Sequence, residues 1–221
     1  MALTIGVFDS GIGGEAVAET LRQAFPSATV TTVNDRIHIP YGDKSPEEVR
    51  ALTDTAIQPL LGHDIVVIAC NTATMLALSF LRARYPGQDF VGIEPMIQPA
   101  AALTKSGVVC VCATPATLAS ERYDQLKQLS ATHCTVLEPN CSQWASLIEH
   151  NEINEQHIRA TLQHPLEQGA DVVVLGCTHY HWIKDMVETI VDGHAVVLEP
   201  SAAIVRHITT LTTQRETVLQ R

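Results

Sequence analysis

Asp64-Ile65-Val66-Val67-Ile68-Ala69-Cys70 and Asp171-Val172-Val173-Val174-Leu175-Gly176-Cys177 are two versions of one device. Each has an acid, a run of branched apolar residues, a small residue and a thiol. Apolar runs of this length without alternation describe strands buried on both faces, the pattern of a parallel sheet. Each strand delivers one cysteine to its C-terminal end. Asn71-Thr72 follows the first thiol and Thr178-His179 the second. A chain that builds this device twice is expected to bring the two sulfurs together. Two thiols facing one ligand suit a reaction that needs an acid on one side and a base on the other.

The repeat extends in both directions from the thiols. Ile5 to Ser10 matches Val109 to Thr114, Val30 to Asp35 resembles Thr135 to Asn140, and Val91 to Pro95 matches Val196 to Pro200. The matches recur in the same order at a nearly constant offset, which predicts two similar α/β halves. Strands are expected at 4–8, 29–33, 65–69, 90–93, 108–112, 134–137, 172–175 and 195–198. Helices are expected at 15–24, 46–61, 73–84, 97–104, 116–129, 141–149, 155–168, 183–191 and 202–211. The alternation calls for parallel sheets flanked by helices. Two Glu-Pro pairs, Glu94-Pro95 and Glu199-Pro200, mark the boundaries. The first lobe then takes residues 1–95 plus 201–221, and the second takes 96–200. A ligand belongs at the strand C-termini, in the cleft between the lobes.

Composition narrows the classes. The 221 residues carry a formal charge of −10, which works against a nucleic-acid surface. Six cysteines are too sparse for a disulfide scaffold. No apolar run approaches the roughly 18–20 residues of a membrane span, and the N-terminus does not read as a signal peptide. The expectation is a cytoplasmic protein with reduced thiols, a small-molecule ligand, no nucleic acid and no membrane.

Several residues near the strand ends can carry chemistry. Both cysteines sit where a strand hands over to a helix, so backbone N–H groups can stabilise a thiolate. Buried apolar filler is the competing reading of a single cysteine, and the repeat argues against it for the pair. His179 can exchange a proton near neutral pH. Asp9, ahead of Ser10-Gly11-Ile12-Gly13-Gly14, reads as a general base or proton-relay partner, or as a turn aspartate. This glycine turn lacks the spacing of a dinucleotide fingerprint, and Glu15 would repel a phosphate. Asp35 precedes the Pro40-Tyr41-Gly42 turn, which can offer N–H groups to a carboxylate or be a plain loop. Thr114 and Thr117 read as helix caps whose ligand role rests on the repeat. Glu149 alone reads as an ordinary acid. His133, Cys134 and Cys141 lack the paired spacing of a zinc site, so no metal is expected. Cys110 and Cys112 alternate toward one face, the core.

Phe8-Asp9-Ser10-Gly11-Ile12-Gly13-Gly14, Ala69-Cys70-Asn71-Thr72-Ala73-Thr74 and Gly176-Cys177-Thr178-His179-Tyr180 together resemble the glutamate racemases, of the cofactor-independent aspartate/glutamate racemase superfamily. The resemblance runs from about Ile5 to Ser201. It implies two pseudo-symmetric α/β lobes with glutamate between them, racemised without cofactor. It implies Cys70 and Cys177 as the acid/base pair, assisted by Asp9, His179 and Glu149. It assigns substrate contacts to Ser10, Asp35, Pro40, Tyr41, Gly42, Asn71, Thr72, Thr114, Thr117 and Thr178. Supply of D-glutamate to peptidoglycan and a homodimer follow from it as further expectations. The chain departs from the family pattern at Asn34-Asp35-Arg36-Ile37-His38, and at Glu15, Ala113, Ser142 and His181. The rival readings are a racemase for another amino acid, a hydrolase using Cys177 with His179, and a non-catalytic binding protein on the same scaffold.

Overall fold

The computed structural model describes residues 2–219, with side chains through Gln214. Its first sheet contains β1 (Thr4–Asp9), β2 (Thr29–Asn34), β3 (Ile65–Ile68) and β4 (Phe90–Gly92), in the order β2-β1-β3-β4. The second contains β5 (Val108–Cys112), β6 (Thr135–Leu137), β7 (Val172–Leu175) and β8 (Val196–Leu198), in the order β6-β5-β7-β8. Every pairing is parallel. The two orders are the same, so the sequence repeat is a repeat of topology.

Among the described residues, ten α-helices cover the sheets: α1 (Gly13–Ala24), α2 (Pro46–Ala56), α3 (Asn71–Arg84), α4 (Ile97–Leu103), α5 (Pro115–Leu118), α6 (Glu121–Ser130), α7 (Trp144–Glu149), α8 (Glu155–Glu167), α9 (Lys184–Val191) and α10 (Ser201–Leu219). The central strands β3 and β7 are buried at every residue. Their side chains divide by the two-residue period of a strand. Ile65 and Val67 pack with Val17 and Leu21 of α1 and with Ile204 and Ile208 of α10. Val66 and Ile68 face the other way, into the layer of Tyr41, Ala77 and Leu81. In the second sheet Val173 and Leu175 meet Trp144, Leu162 and Tyr180, while Val172 and Val174 meet Ala100 and Tyr123. The last helix therefore returns to the first sheet. The four buried apolar clusters divide two and two between the sheets.

Two expected helices are interrupted. The helix expected over 46–61 ends at Ala56 and gives way to a short 3-10 turn, Gln58–Leu60. Pro59 lacks the backbone N–H that would continue the α-helical ladder, and it sits in the first positions of the 3-10 turn instead. The helix expected over 116–129 is two helices, α5 and α6. Ser120 leaves the helix with extended backbone, and its side chain accepts from Tyr123 N, starting α6 afresh. The helix expected from Cys141 begins at Trp144, because Asn140 Oδ1 accepts from Ser142 N and holds a turn there. The last helix extends past its expected end at 211, through Leu219.

Candidate active site

Parallel strands open their C-terminal ends on one side of each sheet, and the two lobes turn those ends toward each other. Between them lies a cavity of about 110 Å³. Ser10, Cys70, Asn71 and Thr72 line it from the first lobe, with the Pro40-Tyr41-Gly42 turn. Thr114, Glu149, Cys177, Thr178 and His179 line it from the second. The two thiols that the repeat singles out thus share one cavity.

Cys70 is the N-cap of α3, with extended backbone, and its Sγ accepts from Ala73 N at 3.4 Å. Ser10 donates its hydroxyl to the same sulfur at 3.2 Å. These donors favour the thiolate, but burial outweighs them, and the Asp9 carboxylate adds to the burial. The Cys70 thiol is pushed up to about 12. Cys177 has no such cap. It precedes a 3-10 turn, Thr178–Ile183, rather than an α-helix. Burial, then the charges of Cys70 and Asp9, push its thiol well up, against the N–H of His179.

A chain of contacts runs back from Cys177. Its sulfur is 3.7 Å from His179 Nδ1, and His179 Nε2 is 2.7 Å from Glu149 Oε1. Burial alone would raise the Glu149 pKa. The N–H of Ile12, His179 and Arg36 together hold it below the ordinary carboxylate value. An ionised carboxylate only accepts, so the hydrogen of this bond is on Nε2, and the other ring nitrogen, Nδ1, faces the Cys177 sulfur. Gly11 makes the approach possible. A Cβ there would fall on Glu149 Oε1 and within 2.5 Å of His179 Nε2.

Polar bonds cross the seam around the cavity. Thr178 donates to Asp9 Oδ1 at 3.0 Å, and Thr72 and Thr114 share a hydrogen bond at 2.9 Å. Ile12 N donates to Glu149 Oε1 at 2.8 Å. Asp9 is fully buried, and burial raises its pKa against the opposing pull of His179 and the Gly11 N–H. Asn71 donates to Ile93 O, and its buried Oδ1 has no hydrogen-bond partner.

Three of the residues named from sequence stand behind the cavity wall. Asp9 reaches the cavity through Thr178, and its charge acts on Cys70. Thr117 reaches it through Thr114, whose hydroxyl donates to it at 3.0 Å. Asp35 accepts from Tyr41 OH at 2.7 Å and contacts His38 Nδ1 at the same distance, so it braces the turn. Sequence reasoning missed Ser142, Ser146 and His150, which line the cavity at intervals of four along the α7 region. That spacing of polar residues was a readable signal. Among the described residues, no group of three or more His, Cys, Asp or Glu is arranged to hold a metal ion. His133 instead contacts the Ala101 carbonyl. No described helix is long and apolar enough to cross a membrane.

The profile of the family described as Asp/Glu/Hydantoin racemase matches residues 14–208. The glutamate racemase of Ectopseudomonas mendocina (strain ymp) is 38% identical over 218 residues, covering 96% of this chain and 83% of that one. The chain belongs to the Asp/Glu/hydantoin racemase family, in its glutamate racemase branch. It is an amino-acid racemase, an isomerase. The glutamate racemase of Roseiflexus sp. (strain RS-1) is 36% identical over 97% of this racemase and 81% of its own length. Among solved structures, Escherichia coli glutamate racemase in complex with L-glutamate and the activator UDP-MurNAc-Ala superposes with a TM-score of 0.86. It is 29% identical, over 96% of this chain and 82% of that one. Francisella tularensis glutamate racemase in complex with D-glutamate superposes at 0.82, with 26% identity over 97% of this chain and 82% of that one.

Proposed function

We propose that this racemase interconverts L- and D-glutamate, without cofactor, by passing the α-proton between Cys70 and Cys177. The observation that carries the proposal is that one thiol from each lobe lines the same cavity. A racemase must remove a proton from one face of a carbon and return one to the other, and opposed thiols can do both. The thiolate at one side takes the α-proton. The electron pair left on carbon delocalises into the α-carboxylate, and the opposite thiol protonates the other face. After one turnover the two cysteines have exchanged protonation states, and the protein is ready for the enantiomer it has just made.

Both thiols are pushed up by burial, so forming a thiolate needs help from the substrate. The α-ammonium of glutamate brings a positive charge beside the sulfur, and the partnerless Asn71 Oδ1 is suited to accept from it. Ser10, Thr72, Thr114 and the Gly42 backbone supply neutral donors for the two carboxylates, without a fixed cation to hold them too tightly. Preorganised donors of this kind stabilise the charge that develops on the carboxylate. Asp9 serves the Cys70 side and His179, oriented by Glu149, serves the Cys177 side. The wider setting we assign is supply of D-glutamate to peptidoglycan by a cytoplasmic homodimer, with the lobes divided at 95 and 200.

The Cys177–His179–Glu149 array would also suit a nucleophile and base in a hydrolase. That reading leaves a second thiol in the same cavity with nothing to do. The test uses each glutamate enantiomer in deuterated water, read by NMR and chiral chromatography, with aspartate and other amino acids alongside. Cys70→Ala and Cys177→Ala should each lower racemisation in both directions by about 10²–10⁴-fold, the usual worth of a positioned acid or base. Full turnover in either variant overturns the two-thiol scheme.

A further inference from the structure

We propose that Arg36 is a positioning residue for the Cys177 half of the site, reaching across the seam to fix the Glu149 carboxylate against His179. The inference rests on the two-thiol reading and adds to it a residue outside the cavity wall. Arg36 opens the 3-10 turn Arg36–His38 that follows β2, and its Nη2 lies 3.5 Å from Glu149 Oε2. The other carboxylate oxygen, Oε1, takes the His179 ring N–H and the Ile12 backbone N–H. Glu149 is therefore held at both ends of its fork, at Oε1 by His179 of the second lobe and Ile12 of the first, and at Oε2 by Arg36 of the first. A carboxylate held at Oε1 alone could swing about its last torsion. With Oε2 anchored it keeps one orientation, and so does the imidazole it faces.

The two partners differ in exposure. The Glu149 side chain is 5% exposed and that of Arg36 is 61% exposed. An arginine at the surface that contacts a buried carboxylate contributes little to global stability, but it can set the charge and direction of that one group. The turn carrying Arg36 is itself braced. His38 and Tyr41 both engage Asp35, so the acid next to Arg36 in sequence is turned to other partners. The groups facing Glu149 are Arg36 from the first lobe, His179 from the loop after β7, and the N–H of Ile12. Asp9 and Cys177 face His179 from its other sides.

Arg36 is one of the groups that keep Glu149 ionised. Removing it lets the Glu149 pKa rise, so activity that needs the carboxylate is lost at a higher pH on the acid side. The experiment compares the unaltered full chain with Arg36→Ala and Arg36→Lys. It records kcat/KM for glutamate against pH, and titrates Glu149 by carboxyl ¹³C NMR. Enantiomers have equal free energies, so kcat/KM must fall equally in both directions and any asymmetry divides between kcat and KM. We expect Arg36→Ala to lower kcat/KM about fivefold near neutral pH, the size of one exposed ion pair. Its acid limb and the Glu149 midpoint should both move to higher pH, and Arg36→Lys should restore both. An acid limb and midpoint that stay in place in Arg36→Ala overturn the proposal, whatever happens to the rate. So does a shift that lysine fails to reverse. An unaltered chain that leaves glutamate unracemised would sink the two-thiol reading instead, and the Glu149 midpoint would still decide whether Arg36 holds this carboxylate.

Discussion

A methyl group at position 11 would land on the hydrogen bond that orients His179. Gly11 needs to be small because Glu149 and His179 meet directly above its backbone. Gly11→Ala should lower kcat/KM by about 10²-fold, the cost of moving a reacting group by about an ångström. Its thermal midpoint by circular dichroism should stay close to that of the unaltered chain, because the change is at the seam and not in a core. Activity equal to the unaltered chain would show that the His179–Glu149 bond is dispensable. Sequence alone marked Gly11 as part of a turn. It could not show that the glycine makes room for a carboxylate 138 positions later, because that contact depends on how the lobes meet.

Helix α2 shows how an element far from the chemistry supports it. Ser45 accepts from Glu48 N, and the Glu48 side chain accepts from Ser45 N, a complete capping box with Pro46 in the first turn. The helix packs on α3, whose N-cap is Cys70. Ser45→Ala should cost about 1 kcal/mol in urea unfolding, the usual worth of such a cap, with kcat/KM unchanged. Unaltered stability would mean that Pro46 and packing alone fix the start of α2. This cap was legible in the sequence because its signals lie within four residues. The break between α5 and α6 was harder to read. Ser120 interrupts an otherwise continuous pattern only because its side chain caps Tyr123 N, and a mid-helix serine commonly makes no such bond.

At the scale of the whole molecule, each lobe keeps its own apolar core, and the two meet mainly across hydrogen bonds and ion pairs, with Ile12 of the first lobe packed against the core of the second. Arg122 and Glu94 add an ion pair between the lobes away from the cavity. Such a seam can open and close without exposing a core. A ligand that touches both walls ties the lobes together. L- and D-glutamate should therefore each raise the thermal midpoint. At a hundredfold excess over Kd the gain is about 2.7 kcal/mol, or roughly 5–10 °C for a chain of this length. Stabilisation by only one enantiomer would count against a site that serves both directions.

The sequence by itself determined the eight strands, their division into two matching sets and the delivery of one thiol to an end of each central strand. These follow from local rules: side-chain period, turn residues and repeat offset act within a few residues. Only the tertiary structure decided that Asp35 braces Tyr41 from behind the wall and that Asp9 bonds Thr178 of the other lobe. It alone brought Arg36, Ile12 and His179 onto one carboxylate. The physical reason is that the angle between two packed lobes is set by all their contacts together, and no local period along the chain encodes it.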